Sequence, residues 1–184
     1  SGLPEKQIIG SGTILDTSRL QSHLAKRFLI SPKNVHAYVY GEHGDTSFVP
    51  WSLANIANIP VDEYKKSSPD KESIDWNDNY DEVEDFVRKS GAIIIENKGA
   101  TFFAVAMSVC HICKCIYSDA GTALSVSTMM HGEYGVSDVC LSTLVLVDRD
   151  GIRGKIMNKL NDDELKKLHA SAEKLKSVLS EIEY

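Results

Sequence analysis

Apolar positions recur along this chain at spacings that predict its elements. Leu20, Leu24 and Phe28 fall every four residues, the stripe of a helix, and Ser31-Pro32 closes it. Val35 to Tyr40 reads as a strand, with Val35, Ala37 and Val39 on one face and His36, Tyr38 and Tyr40 on the other. Gly41-Glu42-His43-Gly44-Asp45 turns the chain, Phe48 to Trp51 continues as an edge strand limited by Pro50, and Ser52 to Ile59 reads as a short helix. Residues 62–80 are polar and broken by Pro69, a surface loop. Asp81 to Lys98 starts acidic and ends basic, with Val83, Phe86, Val87, Gly91 and Ile94 inward, which suits a helix and its dipole. After the Lys98-Gly99-Ala100-Thr101 break, Thr101 to Ser118 is apolar on nearly every face and predicts a buried helix. Ala123 to Met129, Asp138 to Val147 and Ile152 to Leu160 predict strands, with a hairpin turn at Asp150-Gly151. Asn161 and Glu164 pair as a helix cap. Leu165, Leu168, Ala172, Leu175, Leu179 and Ile182 then share one face of a last helix, taken to pack on its own sheet. This order predicts an α+β domain, a largely antiparallel sheet packed with long helices.

Composition narrows the function classes. The 184 residues suffice for one domain with its own core, and 20 Lys+Arg against 26 Asp+Glu give a net charge of −6. A mildly acidic chain without a basic run is a poor binder of nucleic acid. No apolar stretch reaches the roughly 20 residues of a membrane helix, so no membrane partner is expected. Ser1-Gly2-Leu3-Pro4 reads as the middle of a longer protein. Cys110, Cys113 and Cys115 sit close together, with Cys140 apart. Within an apolar helix they read as buried free thiols rather than metal ligands, and reduced thiols point to a cytoplasmic protein. Gly10-Ser11-Gly12 lacks the third glycine and the preceding strand of a phosphate-binding loop.

Chemistry concentrates in three polar residues. Asp16 heads the buried stripe, and Arg19 lies one turn on, so an internal Asp16–Arg19 pair is one reading. His43 in its glycine-flanked turn offers another. A buried carboxylate orients the imidazole through one ring nitrogen, and the other exchanges a proton with a substrate. Arg19 is then free to take a substrate carboxylate in two parallel hydrogen bonds. These residue types together suit a small acid whose neighbouring oxygen gains or loses a proton.

The segment Gly10-Ser11-Gly12-Thr13-Ile14-Leu15-Asp16-Thr17-Ser18-Arg19, followed by Asn34-Val35-His36-Ala37-Tyr38-Val39-Tyr40-Gly41-Glu42-His43-Gly44-Asp45, closely resembles the L-lactate/malate dehydrogenase family. Glu42 before the histidine and Pro50-Trp51-Ser52 lean to its lactate branch. The likeness runs from about Leu3 to the last helix. It implies that residues 1–184 are the substrate-binding and catalytic domain, without the family's N-terminal NAD-binding domain. It implies His43 as proton donor and acceptor, Asp16 as its orienting partner and Arg19 as anchor of the substrate carboxylate. Thr101 would line the substrate pocket, or cap a helix, and Val105 would pack near the nicotinamide or simply in the core. The implied cofactor is NAD, and the implied partners are a 2-oxo or 2-hydroxy acid and further copies of the chain in a dimer or tetramer. The implied reaction is reduction of pyruvate to lactate, the alternatives being malate, a branched 2-hydroxy acid, or a non-catalytic module for assembly or anion binding. The chain alone should bind NAD weakly and turn over negligibly. Many bacterial relatives bind fructose 1,6-bisphosphate between subunits. His36 matches their histidine, but Gln21 stands where they have an arginine, so weak or absent activation is expected.

Overall fold

The computed structural model of the chain describes residues 2–77 and 79–182. Ser1 of the opening tetrapeptide and Asp78 of the 62–80 segment lie outside the described residues. Helix α1 (Ile14–Arg27) leads into β1 (Val35–His36), which pairs with a hairpin of β2 (Asn55–Ile56) and β3 (Ile59–Pro60) in a small antiparallel sheet. Helices α2 (Val61–Ser67), α3 (Tyr80–Lys98) and α4 (Phe103–Ser118) follow. A second antiparallel sheet has β4 (Thr122–His131), β5 (Ser137–Asp148) and β6 (Gly151–Lys155) in that order, and α5 (Asp162–Ser180) ends the fold. The architecture is α+β as expected, with the antiparallel strands divided between two sheets. Among the described residues, no helix is long and apolar enough to cross a membrane.

Three apolar clusters hold these elements. Leu20, Leu24 and Phe28 of the α1 stripe pack on Val35, Ile56, Trp76, Val83 and Val87. Leu168 and Ala172 of α5 pack on Tyr40, Phe48, Met130 and Leu141. Ile112 and Cys115 of α4 pack on Ile14, Val126 and Val145. Asn161 accepts from the backbone N–H of Asp163 and Glu164, and Glu164 accepts from that of Asn161, a reciprocal cap that starts α5 where the sequence placed it.

Several expectations are corrected. The expected helix at Ser52–Ile59 is a single 3-10 turn at Trp51–Leu53 followed by the β2–β3 hairpin, where Ala57 and Asn58 both adopt left-handed φ, 50° and 67°, in a two-residue turn. The expected loop at 62–80 contains α2, with Asp62 and Glu63 at its start and Lys65 and Lys66 at its end, matched to the helix dipole. Only Val35–His36 of the expected strand joins a ladder, and Tyr40, on the face opposite Val39, is buried like it. The last strand ends at Lys155, not Leu160. On α3, Phe86 is exposed and Glu84 is buried. Leu179 near the end of α5 is exposed rather than packed, and Ile182 is exposed and lies beyond the helix, which ends at Ser180. Helix α4 is not buried: Phe103, Val105, Met107 and Val109 are exposed, and so are Cys110 and Cys113. Apolarity on every face requires cover, and the described residues supply it only along Ser108, Ile112 and Cys115.

The seating of α1 positions the site. Thr13 and Thr17, one turn apart and both buried, face the sheet. The Thr13 N–H donates to Ser142 Oγ at 3.1 Å and its hydroxyl to the Val39 carbonyl at 2.5 Å. Thr17 Oγ1 accepts from the Val39 N–H at 2.9 Å and lies 2.7 Å from Ser125 Oγ. Gly12 permits this approach. Its φ is +49°, and a Cβ there would lie 2.3 Å from Ser142 Oγ and 2.7 Å from the Ser127 nitrogen. We expect Gly12→Ala to cost about 2–4 kcal/mol, combining backbone strain with overpacking. Gly99→Ala, with φ +78° but open space, should cost only about 1–2 kcal/mol. Urea unfolding of both variants checks this, and equal losses would contradict the close seating of α1.

Candidate active site

Asp16, on the first buried turn of α1, is 4% exposed. Its two oxygens are divided. Oδ1 accepts from Arg19 Nη1 at 3.1 Å, and Oδ2 accepts from His43 Nδ1 at 2.6 Å. Both readings of the Asp16–Arg19 spacing therefore hold together, and Arg19 is tethered rather than free. The tether uses one of its five N–H donors, and the guanidinium has no other hydrogen-bonding partner among the described residues. Gly91 of α3 faces it, with a Cβ there 3.9 Å from Nη1.

His43 arrives from the loop closed by the Tyr40–Phe48 bridge. The two flanking glycines do different jobs. Gly41 needs its φ of +94°, whereas Gly44 has no left-handed φ and instead leaves space for the Glu42 side chain, whose Oε1 would be 3.2 Å from a Cβ. Because a carboxylate only accepts, Nδ1 carries a hydrogen and Nε2 is the nitrogen left for a reactant. The hydrogen bond to Asp16 raises the His43 pKa above its ordinary value. Burial opposes the rise, the Asp16 charge adds to it, Arg19 opposes it and Glu42 adds to it. The imidazole side chain is 59% exposed, so this acid stands at the surface.

The remaining residues named from sequence are less concentrated. Thr101 is half-buried just before α4 and makes no hydrogen bond to Asp16, Arg19 or His43. Its helix-cap reading is corrected: Phe102 is the N-cap, and no side chain caps the helix. Val105 lies one turn further on and is 39% exposed, so it is not core. A cavity of about 860 Å³ between α1 and α3 is lined by Arg19, His23, Lys26, Phe86 and Ile94, among others, but not by His43. Of Asp16, Arg19 and His43, only Arg19 lines it. Among the described residues, no three His, Cys, Asp or Glu side chains are placed to hold a metal. The sequence did not flag the hydroxyls of Thr13, Thr17, Ser125 and Ser142, which seat α1. Threonines three positions before and one position after a mid-chain carboxylate carry no distinctive signal.

Residues 13–184 match the family described as lactate/malate dehydrogenase, alpha/beta C-terminal domain. An L-lactate dehydrogenase of Clostridium botulinum is 44% identical over 98% of this chain and 56% of its own length. An L-lactate dehydrogenase of Acetivibrio thermocellus is 41% identical over the whole chain and 57% of its own length. A solved lactate dehydrogenase from a Medee basin deep-sea metagenome library superposes with a TM-score of 0.93 at 32% identity, covering all of this chain and 58% of that one. The chain thus spans little more than half the length of these relatives.

His43 is expected to titrate above 6.5, and Asp16→Asn should lower its pKa, since the Arg19 charge would then be opposed only by Glu42. The sign for stability follows. A raised folded pKa makes the pair's contribution complete below the unfolded value and lost as pH rises through the folded one. NMR titration of the His43 ring in both proteins checks this, and an unshifted His43 in the wild type would contradict the pairing.

Proposed function

The chain belongs to the lactate/malate dehydrogenase family, and from that premise we propose that it is the substrate-binding and catalytic domain of an NAD-dependent L-lactate dehydrogenase. The observation that carries this is the shared carboxylate: Asp16 bonded to His43 at 2.6 Å and to Arg19 at 3.1 Å. Arg19 takes the pyruvate carboxylate with the donors that Asp16 does not hold, fixing its plane through two parallel hydrogen bonds. Protonated His43 donates from Nε2 to the carbonyl oxygen as negative charge develops there, and recovers the proton in lactate oxidation. Asp16 keeps Nδ1–H directed inward and stabilises the imidazolium beside the arginine. Thr101, half-buried just before α4, is carried over from the family resemblance as a residue of the substrate pocket.

The residues present fit only the ring end of the cofactor. Val105, with Phe102 and Phe103 beside it, offers exposed apolar surface for one ring face. Gly10-Ser11-Gly12 is not a phosphate cradle, since the space above Gly12 is taken by Ser142 and Ser127. When bound, the nicotinamide supplies the hydride that reduces the carbonyl carbon. The rest of the cofactor site belongs to an N-terminal NAD-binding domain, so the chain alone should bind NAD weakly and turn over negligibly. The exposed apolar residues of α4 support packing against further protein in a homo-oligomer. Gln21 is neutral, and its amide donates to the Ala37 carbonyl at 3.1 Å, which supports little or no activation by a sugar bisphosphate. Lactate is preferred over malate or a branched 2-hydroxy acid because the relatives above are lactate dehydrogenases.

In the full-length protein, His43→Asn should lower kcat for pyruvate reduction by about 10²–10⁴-fold. Arg19→Lys should lower kcat/KM by roughly 10- to 100-fold, through loss of the planar two-bond contact. NADH absorbance with pyruvate, oxaloacetate and 2-oxoisocaproate reads both effects. Activity that survives His43→Asn would defeat the assignment, and preference for another acid would change the substrate while leaving the mechanism.

A further inference from the structure

The turn that carries His43 is bound to a helix more than a hundred residues downstream. Ser171 of α5 is fully buried. Its Oγ accepts from the Glu42 backbone N–H at 2.7 Å and lies 3.0 Å from Thr46 Oγ1. Thr46 Oγ1 in turn lies 2.7 Å from Glu42 Oε1, which also accepts from the Thr46 N–H at 3.1 Å.

The direction of every hydrogen in this ring follows from the chemistry of its ends. A carboxylate only accepts, so the Thr46 hydroxyl spends its one hydrogen on Glu42. Thr46 Oγ1 must then accept from Ser171, and Ser171 Oγ still has a lone pair for the Glu42 N–H. The circuit closes from the Glu42 backbone through Ser171 and Thr46 to the Glu42 side chain, and His43 lies inside the spanned segment. Gly41 is shaped to the same contact: a Cβ there would lie 2.6 Å from Ser171 Oγ. Among the described residues, the imidazole has only Asp16 as a hydrogen-bonding partner, at 2.6 Å. The tolerance of that contact is therefore set by how firmly α5 holds the turn.

We propose that Ser171, acting through Thr46 and the Glu42 backbone, is a positioning residue that sets the distance from His43 to Asp16. The inference rests on the proton-transfer role of His43 given above. Without the Ser171 hydroxyl, the Glu42 N–H loses its acceptor, the turn relaxes and the His43–Asp16 contact lengthens. The charged groups around the imidazole are Asp16 and Arg19 of α1 and Glu42 of its own turn. A longer contact weakens the Asp16 contribution and leaves Arg19 in place, so His43 loses its proton at lower pH. Arg19 is carried by α1 and is unaffected, which separates kcat from KM.

The test is the pH profile of pyruvate reduction by the full-length protein. Ser171→Ala and Thr46→Val should each lower kcat about tenfold, with pyruvate KM changed less than about twofold. Each should also move the alkaline limb of kcat/KM to lower pH. Thr46→Ser, which keeps the hydroxyl, should restore the wild-type rate and profile. If Ser171→Ala does not fold, the Thr46 pair decides alone. Variants that lose only thermal stability, with kcat and the limb unmoved, overturn the proposal, as does a Thr46→Ser protein as impaired as Thr46→Val. Activity persisting in His43→Asn removes the function on which the proposal rests, and the proposal with it. Collapse in His43→Asn with Ser171→Ala and Thr46→Val unaffected overturns the positioning role alone.

Discussion

A carboxylate on the inward face of a helix must be compensated at both oxygens, and Asp16 is that carboxylate. Stripping its water costs several kcal/mol. One oxygen is satisfied within the helix by Arg19, and the other only by His43, 27 residues away in a different part of the fold. The second bond makes the site a tertiary property. It exists only if α1 is seated at a fixed depth on the β4–β5 sheet and if the turn at 41–47 is held at a fixed height. Hydroxyl groups do both: Thr13 and Thr17 on the helix side, Ser125 and Ser142 on the sheet, and Ser171 behind the turn. Small hydroxyl side chains suit this task because they reach a backbone group or another hydroxyl across a short gap.

Sharing one anion between two cations also sets the electrostatics. The imidazolium and the guanidinium repel, and Asp16 lies between them. The hydrogen bond to Asp16 holds the proton on His43 and the Arg19 charge favours its release, with the net shift upward. Exposure of the ring moderates both effects, since solvent screens charges at the surface. In the proposed reaction, a substrate carboxylate on Arg19 would neutralise the group that opposes protonation of His43. Binding would then strengthen the proton's hold until the carbonyl oxygen becomes basic enough to take it.

Periodicity made the long elements legible. The four-residue stripe of α1, the charge gradient of α3, the Asn161–Glu164 cap of α5 and the strands read at 123–129 and 138–147 each rest on local rules that tertiary packing did not override. The short elements were hidden. Ala57-Asn58 turns a hairpin without the usual glycine, so the run from Ser52 resembled a helix. In α4, apolarity on every face suggested a buried helix, but the described residues leave most of it exposed, and of the cysteines expected in a core only Cys115 is buried. Asp16, Arg19 and His43 were legible because a charge on an apolar stripe and a histidine between glycines are both anomalous. Ser171 was not, because a serine on an amphipathic helix is ordinary until its neighbour across space is known.

The dependence of His43 on Asp16 is tested most directly by a double-mutant cycle in the full-length protein, with Asp16→Asn, His43→Asn and the pair compared by kcat/KM for pyruvate. If Asp16 acts through His43, the double variant should be scarcely slower than His43→Asn alone, because the carboxylate has nothing left to orient. Losses that simply add would mean that Asp16 and His43 act independently and that the 2.6 Å contact between them is not what makes the site.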